Sequence, residues 1–334
     1  MKLCGSVSQC IVIMFIIFIM GGCGTQPTSS PANQGVAYTV TDAQGTVVQF
    51  SEKPQRILTL SMGTDEIMLG LVPPNRLAGV NSLLDDPEDS NVVGLARQIP
   101  VKITDPSVES IISLQPDLVI VPDWGNLEQV APLRDLGIRV VVCKGVRNIT
   151  DIKETIQLLA AAVDEDARGK DVLRQMDDKR ADIDRKIKSM SQNTPQRVVL
   201  ISLMNTYGGA GSTFDDACRY AGVINGLAAA GVHDGQPMSK EMLLKINPDV
   251  ILLPSYHNHG QFNSGDFQQS FTNDPALQTL QAVRSGRLVQ TRDCYIYNGS
   301  QDVVFAIQEI AFAVYGPEFS QPDNCHITAV SDGR

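Results

Sequence analysis

Glu109-Ser-Ile-Ile-Ser-Leu-Gln-Pro-Asp-Leu-Val-Ile-Val-Pro122 and Glu241-Met-Leu-Leu-Lys-Ile-Asn-Pro-Asp-Val-Ile-Leu-Leu-Pro254 align without a gap. Each is preceded by Ser-x (Ser107, Ser239), runs through two turns of apolar-rich helix, breaks at Pro-Asp and ends in a short aliphatic run. Proline lacks an N–H and biases the residue before it away from helical geometry, so the pair ends the helix. A β-branched run bounded by prolines is the pattern of a strand buried on both faces, as in a parallel sheet. The same helix–turn–strand unit therefore occurs once in each half. This predicts an α/β chain of two similar lobes with mostly parallel sheets.

The rest of the chain fits around that pair. Its 334 residues suffice for two domains of ordinary size. The formal charge of −10 argues against a nucleic-acid partner, which requires a basic face. Residues 38–50 alternate around Asp42-Ala-Gln-Gly45 and predict a β-hairpin. Strands are expected at 56–60, 77–80, 138–143, 197–203 and 287–290. Helices are expected at 64–71, 127–136, 213–222, 274–283 and 300–315. Residues 148–191 carry no strand signal. An amphipathic helix over 151–163 is followed by one over 164–190, about 40 Å long, with Val172, Leu173, Met176, Ile183 and Ile187 at helical spacing. It reads as a strut between the lobes.

The N-terminus reads as a targeting segment. Ten apolar residues (11–20) follow a polar start, too few for a span that needs about 20 and right for a signal peptide. Gly21-Gly22-Cys23 resembles the lipobox of bacterial lipoproteins, with Met20 and the single basic residue Lys2 as departures. The expected organisation is a lipoprotein signal over 1–22, with lipidation at Cys23 and a disordered tether over 23–35. An N-terminal lobe (36–147), connecting helices (148–194), a C-terminal lobe (195–320) and a disordered tail (321–334) follow. The tether reaches about 40 Å when extended. Cys143, Cys218, Cys294 and Cys325 form no CxxC pair, so zinc-site spacing is absent.

Several phrases carry a family likeness: Thr41-Asp42 with Pro54-Gln55-Arg56-Ile57; Pro106-Ser-Val-Glu109 through Pro116-Asp117; Leu136-Gly137-Ile138; Ala221-Gly222-Val-Ile-Asn225; Ser239-Lys-Glu241 through Pro248-Asp249; and Ala282-Val-Arg-Ser-Gly286-Arg287-Leu288. Over roughly residues 38–318 the chain resembles the Fe/B12-type periplasmic-binding proteins, which serve ABC importers of ferric siderophores, haem and cobalamin. The resemblance implies the class III fold: two Rossmann-like lobes, one long helix between them and a ligand cleft between the lobes. It implies an ABC permease dimer with its ATPase subunits as partner, a monomeric binding protein, an extracytoplasmic location and no catalysis or cofactor. It also implies that Glu109 and Glu241, one per lobe, form ion pairs with arginines of the two permease subunits. The plainer role for both glutamates is to favour a helix N-terminus, worth about 0.3–1 kcal/mol.

Open α/β sheets bind ligands beyond the carboxyl ends of their strands. That directs attention to loops 61–64, 81–83, 123–126 and 144–147 in the first half, and to 205–212, 255–260 and 292–297 in the second. Trp124, the only tryptophan, directly follows a strand and suits stacking on a flat chelate. Tyr207, Tyr256, Tyr295, Tyr297 and Arg292 are further candidates. His257 and His259 stand on a predicted cleft loop where imidazole can approach iron or cobalt, although a polar surface loop is the plainer reading. No bare-metal site is expected. Tyr207-Gly-Gly-Ala-Gly-Ser212 lacks the Gly-Lys-Ser/Thr ending of a phosphate loop and reads as a turn. Few basic residues occupy these loops, which favours a neutral or weakly charged complex. The expected cargo is a siderophore-type iron chelate or a corrinoid, with haem as the alternative. A sensory or partner-binding lipoprotein and an extracytoplasmic enzyme are the rivals from other classes. Against the enzyme, the chain has no Gly-x-Ser-x-Gly elbow and no His-Glu-x-x-His.

Overall fold

The computed structural model describes residues 37–190, 194–202, 204, 206–255 and 264–331. The signal, the tether, Cys23, Tyr256, His257 and His259 lie outside the described residues. A hairpin of β1 (Tyr38–Thr41) and β2 (Val47–Phe50) precedes two parallel sheets. Asp42 sets the hairpin turn, its carboxylate accepting from the backbone N–H groups of Gln44 and Thr46. The first sheet contains β3 (Ile57–Thr59), β4 (Leu77–Asn81), β5 (Lys102–Ile103), β6 (Leu118–Pro122) and β7 (Arg139–Cys143), in the order β5-β4-β3-β6-β7. The second contains β8 (Arg197–Leu200), β9 (Ile224–Asn225), β10 (Val250–Leu253) and β11 (Leu288–Gln290), in the order β11-β10-β8-β9. All pairings within both sheets are parallel.

The repeated unit is confirmed and its geometry explained. Each helix is capped by its serine: Ser107 Oγ accepts from the Ser110 N–H, and Ser239 Oγ from the Met242 N–H, both at 3.2 Å. Each helix gives way to a left-handed residue just before the proline, Gln115 (φ 50°) and Asn247 (φ 47°). The aspartate that follows ties the unit to a neighbouring strand. Asp117 accepts from the N–H groups of Gln55 and Arg56, and Asp249 from that of Arg197. Arg56 and Arg197 then donate to carbonyls at the C-terminal end of the repeated helix, at Gln115 and Ile246, where positive charge is favourable. Pro54-Gln-Arg56 and Pro195-Gln-Arg197 thus form a second repeat, which sequence reading overlooked because its partners lie about 50–60 residues away.

The predicted long helix spans Asp166–Ser189. It packs on helices Ile149–Ala162, Met62–Leu71 and Val303–Tyr315, and so touches elements from both halves of the chain. Val172, Met176 and Ile183 are buried, while Arg174, Asp171 and Asp178 pair at helical spacing on its wet face. Gly169 is required by close approach, since a Cβ there would sit 2.5 Å from that of Ala160. One apolar cluster runs through the helices shared by both sheets, and two smaller clusters fill the outer face of each sheet.

Two expectations are corrected. The helix expected over 274–283 is instead a helix over Ser264–Asn273, followed by single turns at Leu277–Thr279 and Gln281–Arg284. Asp274 breaks the run by accepting from the Ala276 and Leu277 N–H groups. The tail expected to be disordered is seated through residue 331. Ile327 is buried, its N–H donates to Asp302 Oδ1 at 2.8 Å, and the Ala329 N–H donates to the Gly70 carbonyl at 2.9 Å. Sequence reading missed this because the anchors are single side chains rather than a periodic apolar face.

Candidate functional site

A cavity of about 340 Å³ opens between loops of the two halves. From the first half, Met62, Gly63 and Glu66 of helix Met62–Leu71 line it, joined by Leu83 and Asp89 from the segment after β4. From the second half come Met204, Tyr297 and the run Asn298-Gly299, with Asp293 and Cys294 beside them. Ser61 caps the first helix, its Oγ accepting from the Thr64 N–H. Gly63 faces the Gly299 carbonyl, which a Cβ at Gly63 would meet at 3.1 Å. Side chains larger than hydrogen at that point would push the two backbones apart.

Glu66 is the least expected residue here. Asp65 and Glu66 are carboxylates near the start of their helix, residues of a type that is mostly exposed, yet both are buried. Glu66 Oε2 accepts from Asn298 Nδ2 at 2.8 Å, and its carbonyl accepts from Gln301 Nε2 at 2.9 Å. It therefore bridges the halves at the cavity floor. Burial, reinforced by the nearby Asp302 charge, pushes its pKa up to about 8. Asp65 is also pushed up to about 8 by burial, against hydrogen bonds from Thr59 and the Asn81 N–H.

The candidates from the sequence divide. Tyr297 lines the cavity and its hydroxyl donates to Ser202 Oγ at 3.0 Å. Tyr207 turns inward, its ring 5.0 Å from that of Tyr297 and its hydroxyl donating to the Ile296 carbonyl. Tyr295 is fully buried, and its hydroxyl meets the Cys325 backbone N–H at 2.7 Å. Both are packing residues because each hydroxyl finds an interior partner. Arg292 is also committed internally, to Glu309 (2.9 Å from Nε) and Asp323 (2.7 Å); it lines a neighbouring groove. Trp124 is 68% exposed beside Gly145 and is not among the described residues lining the cavity. Cys294 and Cys325 are both free thiols. Glycines 208 and 211 take positive φ, and Gly209 abuts the His233 backbone, so this run is a turn rather than an anion cradle. No group of three or more His, Cys, Asp or Glu side chains suited to a metal occurs among the described residues.

Glu109 and Glu241 are exposed in the first turn of their serine-capped helices. Their own backbone N–H groups and the capping serines hold both carboxyls below the ordinary range. Glu241 borders a groove that also contains Arg197 and Lys245. A second groove runs beside the Glu109 helix, past Lys102 and Ser110.

Comparison with known proteins places this architecture. The sequence matches the periplasmic binding protein family over residues 57–295. A probable siderophore-binding lipoprotein of Bacillus subtilis is 23% identical over 314 residues, covering 86% of this chain and 90% of that protein. A molybdate-binding protein of Haemophilus influenzae is 24% identical over 274 residues, covering 75% and 76%. Among solved structures, a periplasmic haem-binding protein of Roseiflexus superposes with a TM-score of 0.66 at 24% identity, covering 78% of this chain and 98% of that one. The molybdate-bound Haemophilus protein superposes with a TM-score of 0.67 at 20% identity, covering 83% and 91%. The fold expected from the sequence is that of these structures, and the chain belongs to the periplasmic binding protein family.

Proposed function

We propose that the protein is the substrate-binding lipoprotein of an ABC importer, carrying a siderophore-type iron chelate or a corrinoid. The carrying observation is the cavity lined from both halves of the chain, with Met62, Leu83, Met204 and Tyr297 as apolar wall. Such a mixed site, mainly apolar with a few placed polar groups, suits an organic complex. The protein does no chemistry on its cargo. Cys23 carries the lipid, and the segment after it tethers the lobes at the extracytoplasmic face of the membrane. Glu109 and Glu241 present one carboxylate per lobe to two equivalent permease subunits, with which electrostatic complementarity sets the docking register.

The test separates binding from delivery. Calorimetry on the purified chain should show saturable binding of a ferric siderophore or cobalamin. The Glu109→Ala/Glu241→Ala double variant should keep that affinity but lose import in cells. Import retained by the double variant would end the docking assignment, and binding of none of these complexes would end the cargo assignment.

A further inference from the structure

The two halves meet along one face of helix Met62–Leu71. Gly63, Glu66 and Gly70 stand at i, i+3 and i+7, the spacing of a single helical face. Gly63 abuts the Gly299 carbonyl. Glu66 is bonded through its carboxyl to Asn298 and through its carbonyl to Gln301. At Gly70 the carbonyl accepts from the Ala329 N–H at 2.9 Å. A Cβ on Gly70 would lie 2.6 Å from Gln301 Nε2 and 3.0 Å from the Ile327 carbonyl. Gly63 and Glu66 thus line the cavity, while Gly70 holds the C-terminal segment. The second half repeats that division, with Asn298 and Gly299 at the cavity and Gln301 and Asp302 on the C-terminal segment.

Gln301 is the joint between these parts. It is fully buried, and its Nε2 donates both to the Glu66 carbonyl at 2.9 Å and to the Ile327 carbonyl at 3.1 Å. Asn91 makes a similar link, donating to Asp302 Oδ2 and to the Cys325 carbonyl, each at 2.7 Å. Gln175 of the long helix donates to the Thr328 carbonyl at 2.9 Å. Residues 325–329 are therefore bonded to both halves and to the long helix. Helices Ile149–Ala162 and Asp166–Ser189 join the halves covalently. The C-terminal segment is a second crossing, made of hydrogen bonds in a buried setting where an unmade bond is costly. We infer that this segment is a clasp: with Gln301 as positioning residue, it holds the two walls of the cavity at their native separation and limits how fast a bound cargo leaves. Gln301 is not among the described residues lining the cavity, so it acts through Glu66 and the clasp rather than by touching cargo. The wall separation follows from the bonds alone, and the effect on cargo rests on the importer reading above.

Cys294 supplies the readout. It lines the cavity beside Glu66, and its carbonyl accepts from the same Asn298 Nδ2 at 3.3 Å. Burial pushes its thiol up to about 12, so alkylation, which requires the thiolate, is slow until the walls part. Cys143, on a strand of the first sheet, and Cys218, in helix Thr213–Tyr220, are buried and report unfolding of each half. The full chain is treated with iodoacetamide, and the rate at each cysteine is read by peptide mass spectrometry. The variants are Gln301→Met, which keeps the length of the side chain without its donor, and Ala329→Pro, which removes the N–H that reaches Gly70. Both should label faster at Cys294, by about tenfold for Gln301→Met, the factor that one lost buried hydrogen bond carries. Cys143 and Cys218 should be unchanged. Of cyanocobalamin and a neutral ferric trihydroxamate, whichever the wild type binds should dissociate about tenfold faster from Gln301→Met in stopped flow. In the unaltered chain, exchange of the Ala329 amide and labelling of Cys294 should share one urea dependence, because both require the same opening. Different urea dependences overturn the inference even if neither variant folds. Cys294 labelling at the wild-type rate in both variants overturns it too, as does an unchanged dissociation rate. Acceleration of all three thiols together also overturns it, making the segment a support for the whole fold. Binding of neither probe overturns the cargo assignment alone, and the thiol rates then decide the clasp.

Discussion

Replacing His326 with alanine tests whether the C-terminal segment is a structural strap. His326 Nδ1 lies 2.7 Å from Asp302 Oδ2, and both side chains are almost wholly buried. Asp302 also accepts from Asn91 Nδ2 at 2.7 Å and from the Ile327 N–H at 2.8 Å. The strap continues to the Gly70 carbonyl and to Gln175 of the long helix. Removing one partner of a buried ion pair leaves the other uncompensated, at a cost of about 3–5 kcal/mol. Burial alone lowers the His326 pKa, but the Asp302 charge and hydrogen bond outweigh it, and the net shift is upward. A histidine with a raised native pKa adds stability that is fully present below its unfolded value, about 6.5. That contribution disappears as pH rises through the native value, leaving a neutral imidazole N–H on a carboxylate, worth about 1.5–3 kcal/mol. Urea unfolding followed by circular dichroism should therefore show a His326→Ala penalty of about 3–5 kcal/mol near pH 6 that shrinks toward about 1.5–3 kcal/mol near pH 9. His326→Asn, which keeps a donor without the charge, should recover part of the loss, and its penalty should shrink over the same pH range because the titrating group belongs to the wild-type protein. A penalty below about 1 kcal/mol near pH 6, or one that grows with pH, would refute the reasoning.

Arg292→Ala strands the buried Glu309 carboxylate and should cost about 3–5 kcal/mol in denaturant, while leaving the cavity lining intact. Gly209→Ala places a Cβ 2.5 Å from the His233 backbone and should cost about 1–3 kcal/mol or more, read as a lower unfolding midpoint. The Glu66 carboxyl is raised in the native state to about 8, so the native state holds its proton where the unfolded state does not. Stability should fall as pH rises from about 4.3 to about 8, and Glu66→Gln should lessen that slope in a pH series of urea titrations.

The division between what could and could not be read from residues follows the range of the interactions. The helix–turn–strand unit was legible because its signals are local: serine caps, the Pro-Asp break and an aliphatic run. The long helix was legible from its period. The role of Glu66 was not, because the groups that bond it in the interior, Asn298 and Gln301, lie more than 200 positions along the chain. Tyr207 and Tyr295 look like Tyr297 on a loop, but their hydroxyl partners, the Ile296 carbonyl and the Cys325 N–H, exist only after folding. Arg292 reads as a free base for the same reason.

The sequence by itself determined the class of fold and its duplication, since hydrophobic period, caps and breaks act within one or two turns of chain. It also placed Glu109 and Glu241 at matching points of the duplicated unit. Only the tertiary structure decided which loop residues face the cavity, which charges are cancelled and where the tail is held. Burial and charge pairing are properties of neighbours in space, and in this chain some of those neighbours come from opposite halves, as Asn298 does for Glu66 and Gly70 for Ala329.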